Sequence, residues 1–283
     1  MHQKTKLIMP TTQEDTPESK ILSPHRINRF RFLSWSLSAI EQSPGLRKPD
    51  FPFPERTKKT KYPIRALRYW WLACAIQDEL QKKNGSHPVT IADLGCKHGI
   101  LKRFMPPIPG SYWIGMDLQM RPEDLKIARY DEVHCCDFDK TIPIKDSTAD
   151  IVVCSMVLEH LPRPDWTMGE LARILRPGGM MLIGVPVVPR IISIMREWQF
   201  ARQFKAGTRH SGNHMHAFWP ARIRHIAERV GLNVEFLSGS YLLRMQGSWI
   251  ENSSCWMRVN QFWGAMFPSL SQELCMQLRK PLS

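Results

Sequence analysis

The stretch Val89-Thr-Ile-Ala-Asp-Leu-Gly-Cys-Lys-His-Gly99 constrains this chain most: a short apolar run ends in an acid and breaks into two glycines. A β-branched apolar run followed by turn glycines and a new helical pattern is how a buried parallel strand presents its carboxyl end to a ligand. It predicts the floor of a nucleotide-like binding site. With 283 residues, 43% of them apolar, the chain suffices for one sizeable α/β domain with appendages. Its seven cysteines include no CxxC and no Cys/His metal spacing, which predicts reduced, buried thiols in a cytosolic protein. Residues 1–20 are polar and lack the apolar core of a secretion signal. The most apolar window, Gly178 to Met195, is interrupted by Pro186, Pro189 and Arg190, so no membrane span is expected. A soluble, cytoplasmic protein follows.

The net charge of +13 raises the question of nucleic acid or an anionic membrane. Residues 1–90 carry 16 Lys+Arg against 8 Asp+Glu, so most of the excess belongs to the N-terminal third. There Arg26-Ile-Asn-Arg29-Phe-Arg31-Phe and Arg56-Thr-Lys58-Lys59-Thr-Lys61 interleave cations with aromatic residues, as a phosphate-contacting arm would. A solvated tail explains the same composition.

Along the chain, residues 1–62 form a basic, largely disordered extension, with one short helix around Arg31 to Glu41 and prolines at 44, 49, 52, 54 and 63. Order is expected from about Tyr62. The spacing over Ile64 to Lys83 predicts a long helix, and Ile100 to Phe104 a short one. Ser111 to Asp117 reads as a second strand, again closed by an acid, which in a βαβ unit reaches the ribose hydroxyls of a nucleotide. Further strands are expected at 131–136, 149–155, 180–185, 231–236 and 273–281, with helices over 166–175 and 220–230. Strands alternating with helices at this spacing predict a doubly wound parallel sheet.

Asp93-Leu-Gly95-Cys-Lys-His-Gly99, Asp117, Asp137-Phe138, the segment Asp150 to Leu161 and Leu175-Arg-Pro-Gly-Gly179 resemble, in order, the motifs of class I S-adenosylmethionine-dependent methyltransferases, especially the methyltransferase 11-like group. The resemblance implies a seven-stranded Rossmann-like sheet in the order 3-2-1-4-5-7-6 over residues 63–283, with lid insertions at about 187–219 and 241–270. It implies S-adenosylmethionine as cofactor. Gly95, Cys96 and Gly99 would let the backbone approach the methionine part, with Asp93 near its amino group. Asp117, followed by Leu118, would take the ribose hydroxyls, Asp137 and Phe138 the adenine, and Ser155 and Met156 the floor beside the sulfonium.

Two departures matter. The family commonly has glycine where this chain has Lys97, so either the Lys97 ammonium meets the cofactor's carboxylate or the loop is displaced. Leu158-Glu-His160 resembles ubiquinone-pathway O-methyltransferases, whose longer Glu-x-x-Glu-His pattern is associated with a divalent metal; here the first acid is Met156. Glu159 and His160 alone make a poor hard-cation site, so no metal is expected, and His160 with Glu159 is instead the candidate for base catalysis. His210, His214 and His216 have no nearby carboxylate or cysteine in sequence and read as part of the substrate lid. Residues 249–267 are rich in aromatic residues and Met and read as a helix closing the sheet or as an interfacial contact.

The function expected is methyl transfer to a hydroxyl or amine of a small molecule, lipid intermediate or glycan. An RNA methyltransferase guided by the basic arm, and a noncatalytic module with a degenerate pocket, remain open. Gly95 and Gly99 do not fit GxGxxG, which weighs against a nicotinamide enzyme.

Overall fold

The computed structural model describes residues 27–42, 60–83, 88–120, 123, 128–207, 213–242, 245 and 248–282. At its centre, β1 (Val89–Leu94) lies between β2 (Ser111–Asp117) and β4 (Ala149–Ser155), parallel to both. Strands buried on both faces need unbroken apolar sequence, and Ile151-Val-Val-Cys154 supplies it. β3 (Glu132–Cys135) extends one edge, and β5 (Leu175–Pro186), β7 (Glu273–Arg279) and β6 (Asn233–Gly239) continue the other. The order is β3-β2-β1-β4-β5-β7-β6, as expected, with β7 antiparallel to both neighbours. Leu94 is level with Met116 and with Cys154, so Gly95, Asp117 and Ser155 emerge side by side at one rim.

One sheet face, with Leu94, Met116, Val152 and Ile183, is covered by α5 (Pro164–Ile174) and α7 (Pro220–Arg229). The other, with Ile91, Val153 and Leu182, packs against Trp70, Trp71 and Ile76 of α3 (Ile64–Lys82) and Met257 of α8 (Ser254–Met266). α8 lies directly on β6, where a Cβ on Gly264 would meet the Gly239 carbonyl oxygen at 1.9 Å. In the aromatic tail, Met257, Asn260, Gln261, Gly264 and Ala265 face inward, while Trp249, Val259, Phe262 and Phe267 are exposed. The helix therefore closes the sheet and keeps an outer apolar face.

Two expectations are corrected. Order does not begin at Tyr62. α1 (Arg31–Ser34) and α2 (Ser38–Gln42) are laid over α3, with Phe32 and Ile40 buried. Asn28 bridges Phe236 of β6, and the Arg31 guanidinium donates to Asp78 at 2.6 Å and to Gln277 at 2.7 Å. Arg31 is thus held inside the fold rather than offered to phosphate, whereas Arg26, Arg56, Lys58 and Lys59 lie outside the described residues. The second correction concerns the insertion after β5, which carries a helix the periodicity did not reveal, α6 (Arg190–Lys205). Among the described residues no helix is long and apolar enough to cross a membrane.

Candidate active site

The loop between β1 and α4 (Ile100–Phe104) turns on left-handed backbone. Gly95 has φ +70° and Gly99 φ +61°, and a Cβ at Gly95 would meet Val157 Cγ2 at 2.3 Å. The loop is tied back to β2, with the Gly95 and Cys96 amides donating to the Met116 carbonyl at 2.8 and 3.1 Å. Between the glycines Lys97 is itself left-handed, φ +40°. A residue with a Cβ pays about 1–2 kcal/mol for that conformation, which accounts for glycine being the family's usual choice. The loop is not displaced, since the Lys97 amide donates to Asp117 Oδ2 at 2.9 Å.

Asp117 also accepts from the Gln119 amide at 3.3 Å, so backbone donors fix the carboxylate at the rim, beside the exposed side chain of Leu118. Asp93 is buried one residue inside β1. Burial pushes its carboxyl up to about 7, opposed by a hydrogen bond from the Tyr130 hydroxyl at 2.7 Å and assisted by the charge of Asp117. Tyr130, 37 residues away, carried no sequence signal as a site residue. Asp137 is half-buried and accepts from the Asp139 amide at 3.0 Å. Phe138 is buried, in the same core cluster as Leu94 and Leu158.

At the end of β4, Met156 is left-handed (φ +59°) and Ser155 Oγ is buried with no hydrogen-bond partner. A 3-10 turn over Leu158–His160 follows. Glu159 is buried, which pushes its carboxyl up to about 7, and its Oε2 has no partner. Its Oε1 is 3.8 Å from His160 Nε2, and His160 Nδ1 is buried and unpaired. The His214 ring meets the His160 ring edge-on at 4.8 Å. This corrects the reading of the three histidines as remote from any carboxylate. The Met215 amide donates to the Glu159 carbonyl at 2.6 Å and draws the segment over the turn. His216 turns away to Glu197 (3.3 Å), and His210 lies outside the described residues. The ligand atoms of Glu159, His160 and His214 all lie within 4.8 Å of one another, a spacing that could hold a cation.

Asp93, Gly95, Cys96, Ile100, Ser155 and Tyr69 surround a small cleft at the end of β1. Left-handed loop, rim carboxylate, exposed Leu118 and orphaned serine hydroxyl together suit a ligand with an amino-acid end, a ribose and a flat base. The sequence model of a methyltransferase domain family matches residues 65–236, more than half of the chain. The chain belongs to the methyltransferase-domain family. It is a class I S-adenosylmethionine-dependent methyltransferase, and the residues lining the cleft fit that cofactor.

This methyltransferase is 26% identical over 196 residues to the ubiquinone biosynthesis O-methyltransferase of Aeromonas salmonicida, a match spanning 64% of this chain and 75% of that one. It is 30% identical over 135 residues to the enzyme of the same name from Bordetella pertussis, spanning 44% of this chain and about half (52%) of the relative. In fold it is similar to a methyltransferase from Galdieria sulphuraria, with TM-score 0.52 and 19% identity, covering 77% of this chain and 87% of that one.

Proposed function

We propose that this methyltransferase methylates a hydroxyl group on a small, largely apolar molecule, with His160 as the general base. The observation that carries the reading is the Glu159–His160 pair, with the Glu159 carboxyl and His160 Nδ1 buried, on the turn that follows Ser155 at the end of β4. The O-methyltransferase relatives support it.

In this reading Gly95, Cys96, Lys97 and Gly99 hold the methionine end of S-adenosylmethionine, with Asp93 near its amino group. Asp117 holds the ribose hydroxyls, Leu118 and Asp137 the adenine, and Ser155 and Met156 the floor. Bound there, the cofactor supplies a methyl group activated by a sulfonium. Alignment contributes most to such an in-line displacement, and a base is required only where the acceptor must lose a proton. His160 Nδ1, buried and unpaired, receives the hydroxyl proton. Glu159 gives the resulting imidazolium a counter-charge. Burial pushes its carboxyl up to about 7, so at physiological pH it stands close to its midpoint and ionises as the imidazolium forms beside it. His214, edge-on to His160, fixes the ring and shields it from water.

The test is incubation of the purified enzyme with methyl-labelled S-adenosylmethionine and paired acceptors of matched shape, phenols against anilines, followed by mass spectrometry. O-methyl products are expected. Methylation of the anilines alone would overturn the reading.

A further inference from the structure

Helix α6 presents an inverted surface. A helix packed on a soluble domain turns its apolar stripe inward. Here Ile191, Ile194, Met195 and Trp198, at helical spacing i, i+3, i+4 and i+7, are 75%, 55%, 65% and 64% exposed. The face turned to the protein carries Ser193, whose Oγ donates to the Ala217 carbonyl at 2.6 Å, Glu197, which pairs with Arg222 and His216, and the half-buried Phe200. α6 therefore lies along the surface, tied down on one side, with its apolar stripe facing outward.

We infer that α6 docks the enzyme onto an anionic lipid bilayer. The stripe is framed by Arg190, Arg196, Arg202 and Lys205, while the helix's one acid, Glu197, is turned inward and neutralised. An apolar face of Ile, Met and Trp bordered by long cations is the composition of a helix lying in the headgroup plane, with aliphatic stems buried and charges reaching the phosphates. The Arg202 guanidinium sits 4.5 Å from the centre of the Trp198 ring, which places a cation and an aromatic together at the depth where both are favoured. A second copy is a poor occupant, since a twofold contact through this face would set cation against cation. At 16 residues the helix is about 24 Å long, suited to lying on a bilayer rather than spanning it. α6 starts four residues beyond Pro186 of β5, and the segment after it carries His214 to the rim. Docking thus brings the methyl-transfer site close to the lipid surface. The inference goes beyond the acceptor reading and stands without it.

The experiment is co-sedimentation of the full chain with phosphatidylcholine vesicles and with vesicles of phosphatidylcholine and phosphatidylglycerol. The wild type is expected to pellet with the anionic vesicles and far less with the neutral ones. Substituting Ile191→Gln, Met195→Gln and Trp198→Gln together keeps good helix formers on exposed positions, and should lower partitioning roughly tenfold or more, with unfolding temperature unchanged. Trp198→Gln alone should give a smaller loss, and Tyr112→Gln, exposed at the opposite end of the sheet, none. Anionic vesicles that fail to pellet the wild type would overturn the inference, as would a triple variant that binds like the wild type. A wild-type dimer that the triple variant converts to monomer in sedimentation velocity would reassign the face to a second copy.

Discussion

Lys97 occupies a left-handed position that glycine would adopt without strain. Replacing it by glycine removes about 1–2 kcal/mol of conformational penalty, while the freer unfolded chain returns about 0.5–1 kcal/mol. The net gain is about 0.5–1 kcal/mol, or about 1–4 °C in unfolding temperature for a domain of this size. The amide donated to Asp117 survives in glycine, so the rim is unaltered and only the side chain is tested. The ammonium makes a separate contribution. If it meets the cofactor's carboxylate, Lys97→Met, which keeps the strain and loses the charge, binds S-adenosylmethionine roughly tenfold more weakly, as expected for a lost charge-assisted hydrogen bond. Thermal unfolding without ligand and calorimetric titration of both variants separate the two contributions. A lower unfolding temperature for Lys97→Gly would refute the strain argument. Wild-type affinity in Lys97→Met would refute the contact.

The remaining expectations follow from the buried polar groups. Asp93 and Glu159 are raised from ordinary carboxylate values to about 7, so the folded state keeps protons that the unfolded chain has lost. Their contribution is full in acid and lost as pH rises through about 7; the ligand-free unfolding temperature should fall between about pH 5 and pH 8, and a rise would contradict it. Glu170, held low by its hydrogen bond from Arg173, acts only below this window. Ser155→Ala removes an unpaired buried hydroxyl, so the ligand-free protein should be no less stable, while the stabilisation conferred by S-adenosylmethionine shrinks; unchanged stabilisation would show that the hydroxyl has no part in the site. His160→Gln should lower kcat by about 10²–10⁴-fold with cofactor affinity preserved, an effect absent if the ring is only structural. Chelation of divalent ions should leave turnover intact; a loss restored by added metal would make Glu159, His160 and His214 ligands rather than a base and its supports.

The sheet was legible because its strands are short apolar runs closed by acids or glycines, and a strand buried on both faces cannot be written otherwise. β1, β2 and β4 are recognisable from that property alone, and the order of the motifs supplied the topology. α6 escaped because its apolar residues, although at helical spacing, follow directly on Pro186 and Pro189, which mark that stretch as an irregular insertion. A short helix around Arg31 to Glu41 was legible, but the docking of residues 27–42 on the domain was not, because what orders them is distant in sequence: Arg31 finds Asp78 and Gln277, and Phe32 finds Trp70 and Phe236. The same holds within the site. Asp93 and Asp117 stand out at strand ends, but the Tyr130 hydroxyl reaches Asp93 only through the fold. Of three histidines in one loop, only the fold selects His214 for His160 and sends His216 to Glu197. Lys97 was visible as a departure, and its left-handed backbone shows why glycine is the commoner residue there.

Calorimetric titration of S-adenosylmethionine into the wild type and into Asp117→Ala tests the central claim most directly, that the cofactor lies across the rim formed by β1, β2 and β4. The wild type should bind one equivalent, and loss of the carboxylate should weaken binding by about 1–3 kcal/mol. No binding by the wild type, or equal affinity in both proteins, would contradict it.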